Sequence, residues 1–565
     1  LDIKLPVDGL KFRSNLGLDA RTVQDYEFWS AKTSNRGMGT SYAKNAVDKY
    51  TMFTLENMLF YDKTFNDKHT LGVTLLQSIQ EDKRESVNVA MENLPADNLK
   101  YYDLGSGLVT NTIGSAMVKW NMASFMGRIN YNYLGRYLLT VSARYDGSSR
   151  LADGHKWVLF PSAALAWRIN EESFMSSTSG WLDNLKLRLG FGKTGNSAVD
   201  PYQTKGTLSL IRYPFDNGGT PTIGYAPNAM ANSLLTWETT DQWNLGIDFG
   251  VLRGRINGTI DLYMQNTHDL LLKRQLPVVS GFPDVLSNVG KTRNKGIEVS
   301  INSMNINSKD FQWTTDLMLS SNKEEIVELY NGKNDDIGSK WFIGQPVNVH
   351  YDYRKVGIWQ NTESDLAEMA KFAANGTEFA PGDIKIQDVN GDYKITDADK
   401  QILGNPRPKL IASMVNTFNY KGFDLSVFLY ASFGAMLYND IYAVEHCGRN
   451  GGVKVDYWTP NNPTNAYPRP SIDEERPIYI TSTYYEKADF LRVKTMTLGY
   501  TLPKTLTNKF LVEKLRVYFT AQNPFIFTNY TGIDPEAAKV NSAGNPETNG
   551  SGFGTPSVSS WIFGI

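Results

Sequence analysis

The 565-residue sequence predicts an all-β protein, a large antiparallel transmembrane β-barrel with long extracellular loops. Three observations carry this reading. Apolar and polar residues alternate strictly in many separate stretches, the mark of strands with two unlike faces. Short connections between those stretches alternate with long ones, as they do when tight turns occupy one side of a membrane and loops the other. Tyrosine and tryptophan gather at strand ends, where interfacial girdles form.

Along the chain, Tyr137, Leu139, Val141, Ala143 and Tyr145 share one face, with Thr140, Ser142, Arg144 and Asp146 on the other. The division returns with Trp243, Leu245, Ile247, Phe249 and Val251, with Phe423, Leu425, Val427 and Leu429, and with Leu515, Val517, Phe519 and Ala521. The short connections include 134–136, 252–254 and 420–422, and the long ones run over roughly 94–119, 194–235, 322–408 and 434–489. The count is about 16 strands, an even number with unbroken parity. Tyr131, Tyr133, Tyr145, Trp157 and Trp167 suit the girdles, or else ordinary core positions.

Composition agrees with this reading and removes others. A formal net charge of -2 gives no electrostatic footprint for nucleic acid, and the single cysteine, Cys447, forms no disulfide framework. No apolar run reaches the ~18 residues of a membrane helix, whereas barrel strands, with only alternate residues facing lipid, keep hydropathy low. The first residues, 1–11, contain no leader pattern, so any signal peptide lies upstream or has been removed.

Catalytic signatures are missing from the sequence. The histidines, His69, His155, His268, His350 and His446, show no metal-ligand spacing, and there is no G-x-S-x-G elbow or Walker loop. The pairs Glu171 with Glu172 and Asp335 with Asp336 fall in connections and read as solvated turns. No enzymatic activity is expected.

Residues 388–399, DVNGDYKITDAD, have the oxygen spacing of an EF-hand loop of the dockerin kind. Asp388, Asn390 and Asp392 fill positions 1, 3 and 5, Lys394 would offer its carbonyl at position 7, and Asp399 stands at position 12. Tyr393 replaces the turn-forming glycine, and an aspartate replaces the bidentate glutamate. The expectation is one structural Ca²⁺ pinning a long loop; an acidic turn is the other reading, since Asp, Asn and Gly are also the commonest turn formers.

Several motifs resemble the SusC/RagA branch of TonB-dependent outer-membrane transporters. They are NYLGRYLLTVSARYDGSSR at 132–150 followed by FPSAALAWR at 160–168, then KTGN at 193–196, NVG at 288–290, NKGIE at 294–298, DYWTP at 456–460 and LGYTLP at 498–503. Gly147, Gly195 and Gly296 in these motifs read as turns, bulges or close approaches in a curved sheet.

The resemblance implies a barrel of about 22 strands, of which this chain would be the C-terminal majority, with the N-terminal extension, TonB box and plug outside it. It also implies a place in the outer membrane of a Gram-negative, Bacteroidetes-like cell. Energy-coupled import of oligosaccharides follows, with a SusD-like surface lipoprotein as lid and TonB acting through the N-terminal region. Relatives that take oligopeptides keep peptide import open, and a passive porin or adhesin barrel and a secreted glycan-binding protein are rivals of other classes.

A glycan-binding surface needs aromatic faces with polar neighbours. The candidates are Trp341, Tyr351, Tyr353 and Trp359 in one long loop and Tyr457, Tyr479, Tyr484 and Tyr485 in another, while Trp458, inside a family motif, is expected to be architectural.

Overall fold

The computed structural model describes residues 1–37, 39–213, 222–439, 454–471, 476–536 and 556–565. Cys447 and His446 lie outside the described residues. Among those described, seventeen strands form one sheet, the expected sixteen plus the short β1 (Asp2–Lys4). No helix is long and apolar enough to cross a membrane. By its internal contacts the chain divides into two compact units.

The first unit holds Leu1–Glu171, Arg188–Asn244 and Gln265–Lys291. Its strands begin with β1, β2 (Leu10–Trp29), β3 (Tyr42–Phe65), β4 (His69–Glu92), β5 (Val109–Tyr133), β6 (Tyr137–Ser148) and β7 (Trp157–Arg168). Each pairs antiparallel with the next. β8 (Leu182–Asn196) follows, from Arg188 on, then the hairpin of β9 (Thr207–Tyr213) and β10 (Thr222–Ala229), then β11 (Glu238–Val251) as far as Asn244 and β12 (Ile256–His268) from Gln265. A second hairpin joins β13 (Leu271–Gln275) to β14 (Asp284–Asn288).

The second unit holds Glu172–Leu187, Leu245–Met264 and Thr292–Ile565. β15 (Lys291–Asn307) leads to β16 (Phe311–Glu328), and the long connection that follows carries β17 (His350–Asp352), β18 (Lys355–Ile358), α1 (Glu363–Ala374), β19 (Ile384–Ile386) and β20 (Gln401–Gly404). Next come β21 (Leu410–Tyr420), β22 (Phe423–Phe433), β23 (Met436–Tyr438), β24 (Tyr485–Lys487), β25 (Phe490–Thr501), β26 (Arg516–Thr528) and β27 (Ser560–Gly564). The large-sheet strands from β16 to β27 pair in the order β16, β21, β22, β25, β26 and β27, all antiparallel.

The parity of connections holds for most of the chain and breaks at 169–181 and 502–515, which fall on the short side yet outrun the 149–156 connection on the long side. Turns at 66–68, 134–136, 252–255, 308–310 and 421–422 alternate with the long segments 30–41, 93–108, 197–237, 329–409 and 434–489. Some expected boundaries move. β5 starts at Val109, inside the segment read as a loop from Leu94 to Lys119, and β16 runs to Glu328.

The decisive feature is which face is open. On β6 the apolar face is exposed, with Tyr137 at 44%, Val141 at 43% and Tyr145 at 45%. The polar face is bonded to its neighbours: Thr140 donates to Asn130 at 2.9 Å, Ser142 and Ser162 share a bond of 2.6 Å, and Arg144 binds Asp146 at 2.7 Å and Ser124 at 2.9 Å. A water-soluble sheet would hide the first face and wet the second.

Rings bracket the apolar band. Tyr137 stacks between Tyr133 and Trp167 at 6.2 and 6.5 Å, and eight residues along the strand Tyr145 stacks on Trp157 at 4.9 Å. Eight residues of strand span ~26 Å along the strand, or roughly 18–21 Å across the membrane at a tilt of 35–45°, most of the height of an apolar band about 25 Å tall.

The motif glycines prove to be close approaches. A Cβ on Gly147 would enter the Trp157 ring, one on Gly195 the Phe160 ring, and one on Gly296 the Tyr263 ring. Each glycine thus seats an aromatic ring from another strand, fixing local register.

Candidate functional site

The described residues of the long connections 329–409 and 434–489, both in the second unit, build a small domain of their own. So many residues cannot stay ordered without burying apolar surface. The aliphatic core is Ile358, Ile384, Ile386 and Ile480, closed by Trp458, Tyr467 and Tyr484. A second cluster packs α1, through Met369 and Phe372, onto Trp359. The helix starts at Thr362, whose side chain caps the Asp365 N–H, with Glu363 and Asp365 in its first turn.

This core corrects two of the aromatic assignments. Trp359 is 0% exposed, edge-on to Phe372 at 5.9 Å with the Lys385 ammonium 4.0 Å over its ring, and Tyr484 is 1% exposed. Neither has a face for a ligand, because the loop domain needs them inside. Trp458 is architectural as expected, buried with its indole N–H donating to Gln360 at 2.9 Å.

The other candidates separate. Tyr351 and Tyr485 line one cleft of ≈ 500 Å³, together with Asp352, Asp397, Lys340, Lys400, Tyr438 and Thr481. Tyr353 stands behind that wall, its hydroxyl donating to Asp397 at 3.3 Å, and Tyr479 meets it edge-on at 5.0 Å. Trp341 is half-buried and pairs through its backbone with Asp336, and Tyr457 is exposed; neither lines the cleft.

β17 brings the arrangement together: its adjacent residues Tyr351 and Asp352 both line the cleft, just past an irregularity in the strand pairing between His350 and Tyr351. Tyr351 faces Phe342 at 4.8 Å, while His350, 3% exposed, turns inward, with its Nε2 2.8 Å from the Met436 carbonyl and its ring 5.0 Å from Tyr485. That carbonyl can only accept, so Nε2 carries the hydrogen, and Nδ1 is buried with no partner among the described residues. Burial, more than any other cause, lowers the His350 pKa, and the Lys340 charge adds to it.

The Tyr485 hydroxyl donates to Asp352 at 3.1 Å, and burial followed by the Asp352 charge raises the phenol far above its ordinary value. Burial, then Asp397, raises Tyr353 to about 12. Lys400, bonded to Asp397 at 2.7 Å, holds that carboxyl below its usual range. The Tyr485 phenol and the carboxylates of Asp352 and Asp397 are therefore held at the cleft beside the Tyr351 ring, with Tyr353 bracing Asp397 from behind. Asp352, Asp397, Lys340, Lys400 and Tyr438 were not singled out from sequence; the one available signal was Asp352 lying between two chosen tyrosines.

Residues 388–399 form one edge of this cleft, through Asp397. Tyr393 takes the left-handed conformation at φ 58, the turn that glycine usually makes at the sixth position of the motif. Asp388 accepts the N–H groups of Gly391 and Tyr393, both at 2.8 Å, and Asp392 accepts that of Lys394 at 2.8 Å. Asp399, fully buried, accepts from Val389 at 2.9 Å and Thr396 at 2.8 Å, clasping the two ends of the loop. Among the described residues no three acidic, His or Cys side chains group as a metal site.

Comparison with known proteins agrees with this geometry. The family model described as TonB dependent receptor-like, beta-barrel, matches residues 6–524. TonB-dependent receptor P3 of Formosa agariphila is 32% identical over 547 residues, covering 94% of this chain and 53% of that protein. TonB-dependent receptor SusC of Bacteroides thetaiotaomicron is 35% identical over 434 residues, covering 74% of this chain and 41% of that protein. The structure titled as the RagAB peptide transporter superposes with a TM-score of 0.81 at 21% identity, over 100% of this chain and 60% of that one. The chain spans about half the length of the curated relatives it matches. Its home is the outer membrane, and no relative among these is named as an enzyme. The chain belongs to the TonB-dependent receptor β-barrel family and is similar to its SusC members.

Proposed function

We propose that this chain forms most of the barrel wall and the outer binding loops of a TonB-dependent importer of oligosaccharides. A SusD-like surface lipoprotein would close over the loops, and TonB would act through an N-terminal plug region of the longer protein. The observation that carries the reading is the cleft itself, where Tyr351 and Tyr485 offer ring faces beside the carboxylates Asp352 and Asp397. Sugars need this combination, since their C–H faces stack on rings while their hydroxyls donate to fixed acceptors.

No bond is made or broken in this account. The cleft binds and orients, and its ion pairs and buried phenols hold the wall in shape before the ligand arrives. The test is titration of the intact detergent-solubilised complex with neutral oligosaccharides and with oligopeptides of matched size. Saccharide binding that weakens when Tyr351 is replaced by Ala supports the reading; binding of peptides alone selects the peptide importer instead.

For residues 388–399 we propose one structural Ca²⁺. Support comes from the oxygen spacing and from the turn at Tyr393. Asp388, Asn390, Asp392 and the Lys394 carbonyl would hold it, with Asp399 keeping its clasp on the backbone or joining the donors. The ion would neutralise the loop's carboxylates and stiffen the cleft edge at Asp397. Calcium titration of the apo protein tests this directly, and no uptake would remove the proposal.

A further inference from the structure

A second cleft of ≈ 500 Å³ lies wholly within the first unit, beside the middle of β5 at Met117–Asn121. Its walls are the β6–β7 connection and the segment that follows β8. Nothing in the oligosaccharide reading above assigns it a role.

Its floor is preorganised. Leu151 lines it and belongs to a buried cluster with Phe160, Val199, Leu235 and Trp237. Two aromatic rings reach the cleft, Trp120 and Tyr202. The guanidinium of Arg150 lies 3.8 Å over the Trp120 ring and leaves that indole fixed. Tyr202 sits in the left-handed conformation at φ 71, its hydroxyl 3.3 Å from both the N–H and the carbonyl of Lys119. A non-glycine residue held at positive φ stores strain, and such strain concentrates where a side chain must be aimed.

The charge is one-sided. Three ammonium groups, Lys119, Lys156 and Lys205, line the cleft against one carboxylate, Asp153. Lys119 pairs with Glu81 at 2.8 Å and Lys156 with Asp153 at 2.5 Å. Lys205, exposed at the cleft wall, makes no ion pair of its own among the described residues; its charge reaches only Asp153, which is already bonded to Lys156, so the cleft keeps a net positive charge. A neutral sugar has no use for an excess cation beside a ring pair, whereas an anionic one does.

We infer that this cleft is a second ligand subsite and that it takes an acidic sugar residue, a pyranose ring bearing a carboxylate or a sulfate. The ring lies against Trp120 and Tyr202, and the anionic group meets Lys205. The inference rests on the oligosaccharide reading and narrows it to acidic glycans.

The probes are tri-galacturonic acid, the neutral galactotriose of the same linkage, and a sulfated galactan trisaccharide, each titrated into the intact complex at low and at physiological ionic strength. The acidic trimer is expected to bind about tenfold tighter than the neutral one, the effect of one charge-assisted hydrogen bond. Added salt should shrink that preference. Lys205→Gln, a change at an exposed position, should bring acidic and neutral trimers to similar affinity, and Trp120→Phe should weaken both. The two acidic probes distinguish a carboxylate from a sulfate preference.

Equal binding of acidic and neutral trimers, or an acidic preference untouched by Lys205→Gln, would overturn the inference and leave oligosaccharide import standing. Binding of neither would overturn it as well. The import reading itself is decided separately, by the chains that co-purify with this one.

Discussion

The hydroxyl of Tyr485 donates to the carboxylate of Asp352 at 3.1 Å, joining two loops whose residues are 133 positions apart. This bond closes the main cleft, because Asp352 follows Tyr351 on β17 while Tyr485 opens β24. Tyr485→Phe keeps the ring and removes the bond. A hydrogen bond to a charged group contributes about 1.5–3 kcal/mol, so hydrogen exchange in 350–353 and 485–487 should speed up by one to two orders of magnitude, on the order of that loss. Unchanged exchange would show that ring packing alone holds the loops.

Asp399 holds both ends of the 388–399 loop through two backbone N–H groups. Asp399→Ala strands both donors, at about 1–3 kcal/mol each. Limited proteolysis should then cut within this loop first, while the wild-type loop resists. Calcium should protect the wild type further, and a chelator should reverse that protection.

His350 supplies a pH dependence whose sign follows from its burial. Its folded pKa lies below the ordinary 6.5, so the unfolded chain takes up the proton first on acidification. The neutral ring's contribution is complete above about pH 6.5 and is lost as pH falls toward the lowered value. Exchange at β17 and β23, normalised to the intrinsic amide rate at each pH, should therefore rise between pH 7 and pH 5, roughly the window in which free histidine charges. His350→Gln should flatten that rise; an equal rise in the variant would place the titration elsewhere.

Gly147 and Gly296 are tested by adding one methyl group. Gly147→Ala drives a Cβ into Trp157 and Gly296→Ala into Tyr263. Overpacking of this kind costs about 1–3 kcal/mol. Heat-modifiability on gels should show each variant unfolding at lower temperature than wild type, while Gly254→Ala, at a turn with φ 73 and no neighbour within 4 Å, should cost less.

Strand alternation was legible wherever one face meets lipid, as on β6, because two different solvents write a two-letter pattern. It failed at the start of β5. Thr110, Asn111 and Thr112 lie on a strand whose first residues are exposed on both sides, so polarity there looked like loop. The aromatic candidates failed for a related reason. Trp359 and Tyr484 have the composition of a ligand surface, yet the connections they belong to form a domain with its own core, and one sequence does not say which rings that core consumes. Tyr351 and Tyr485 share the cleft because two distant loops meet, a contact that no local pattern encodes.

The most direct test is to extract the intact protein from outer membranes in detergent and identify by mass spectrometry every chain and small molecule that accompanies it. The account expects a longer polypeptide with an N-terminal plug, a surface lipoprotein in complex with it, and a bound saccharide. Recovery of this chain in buffer without detergent, with no lipoprotein and no saccharide, would contradict it.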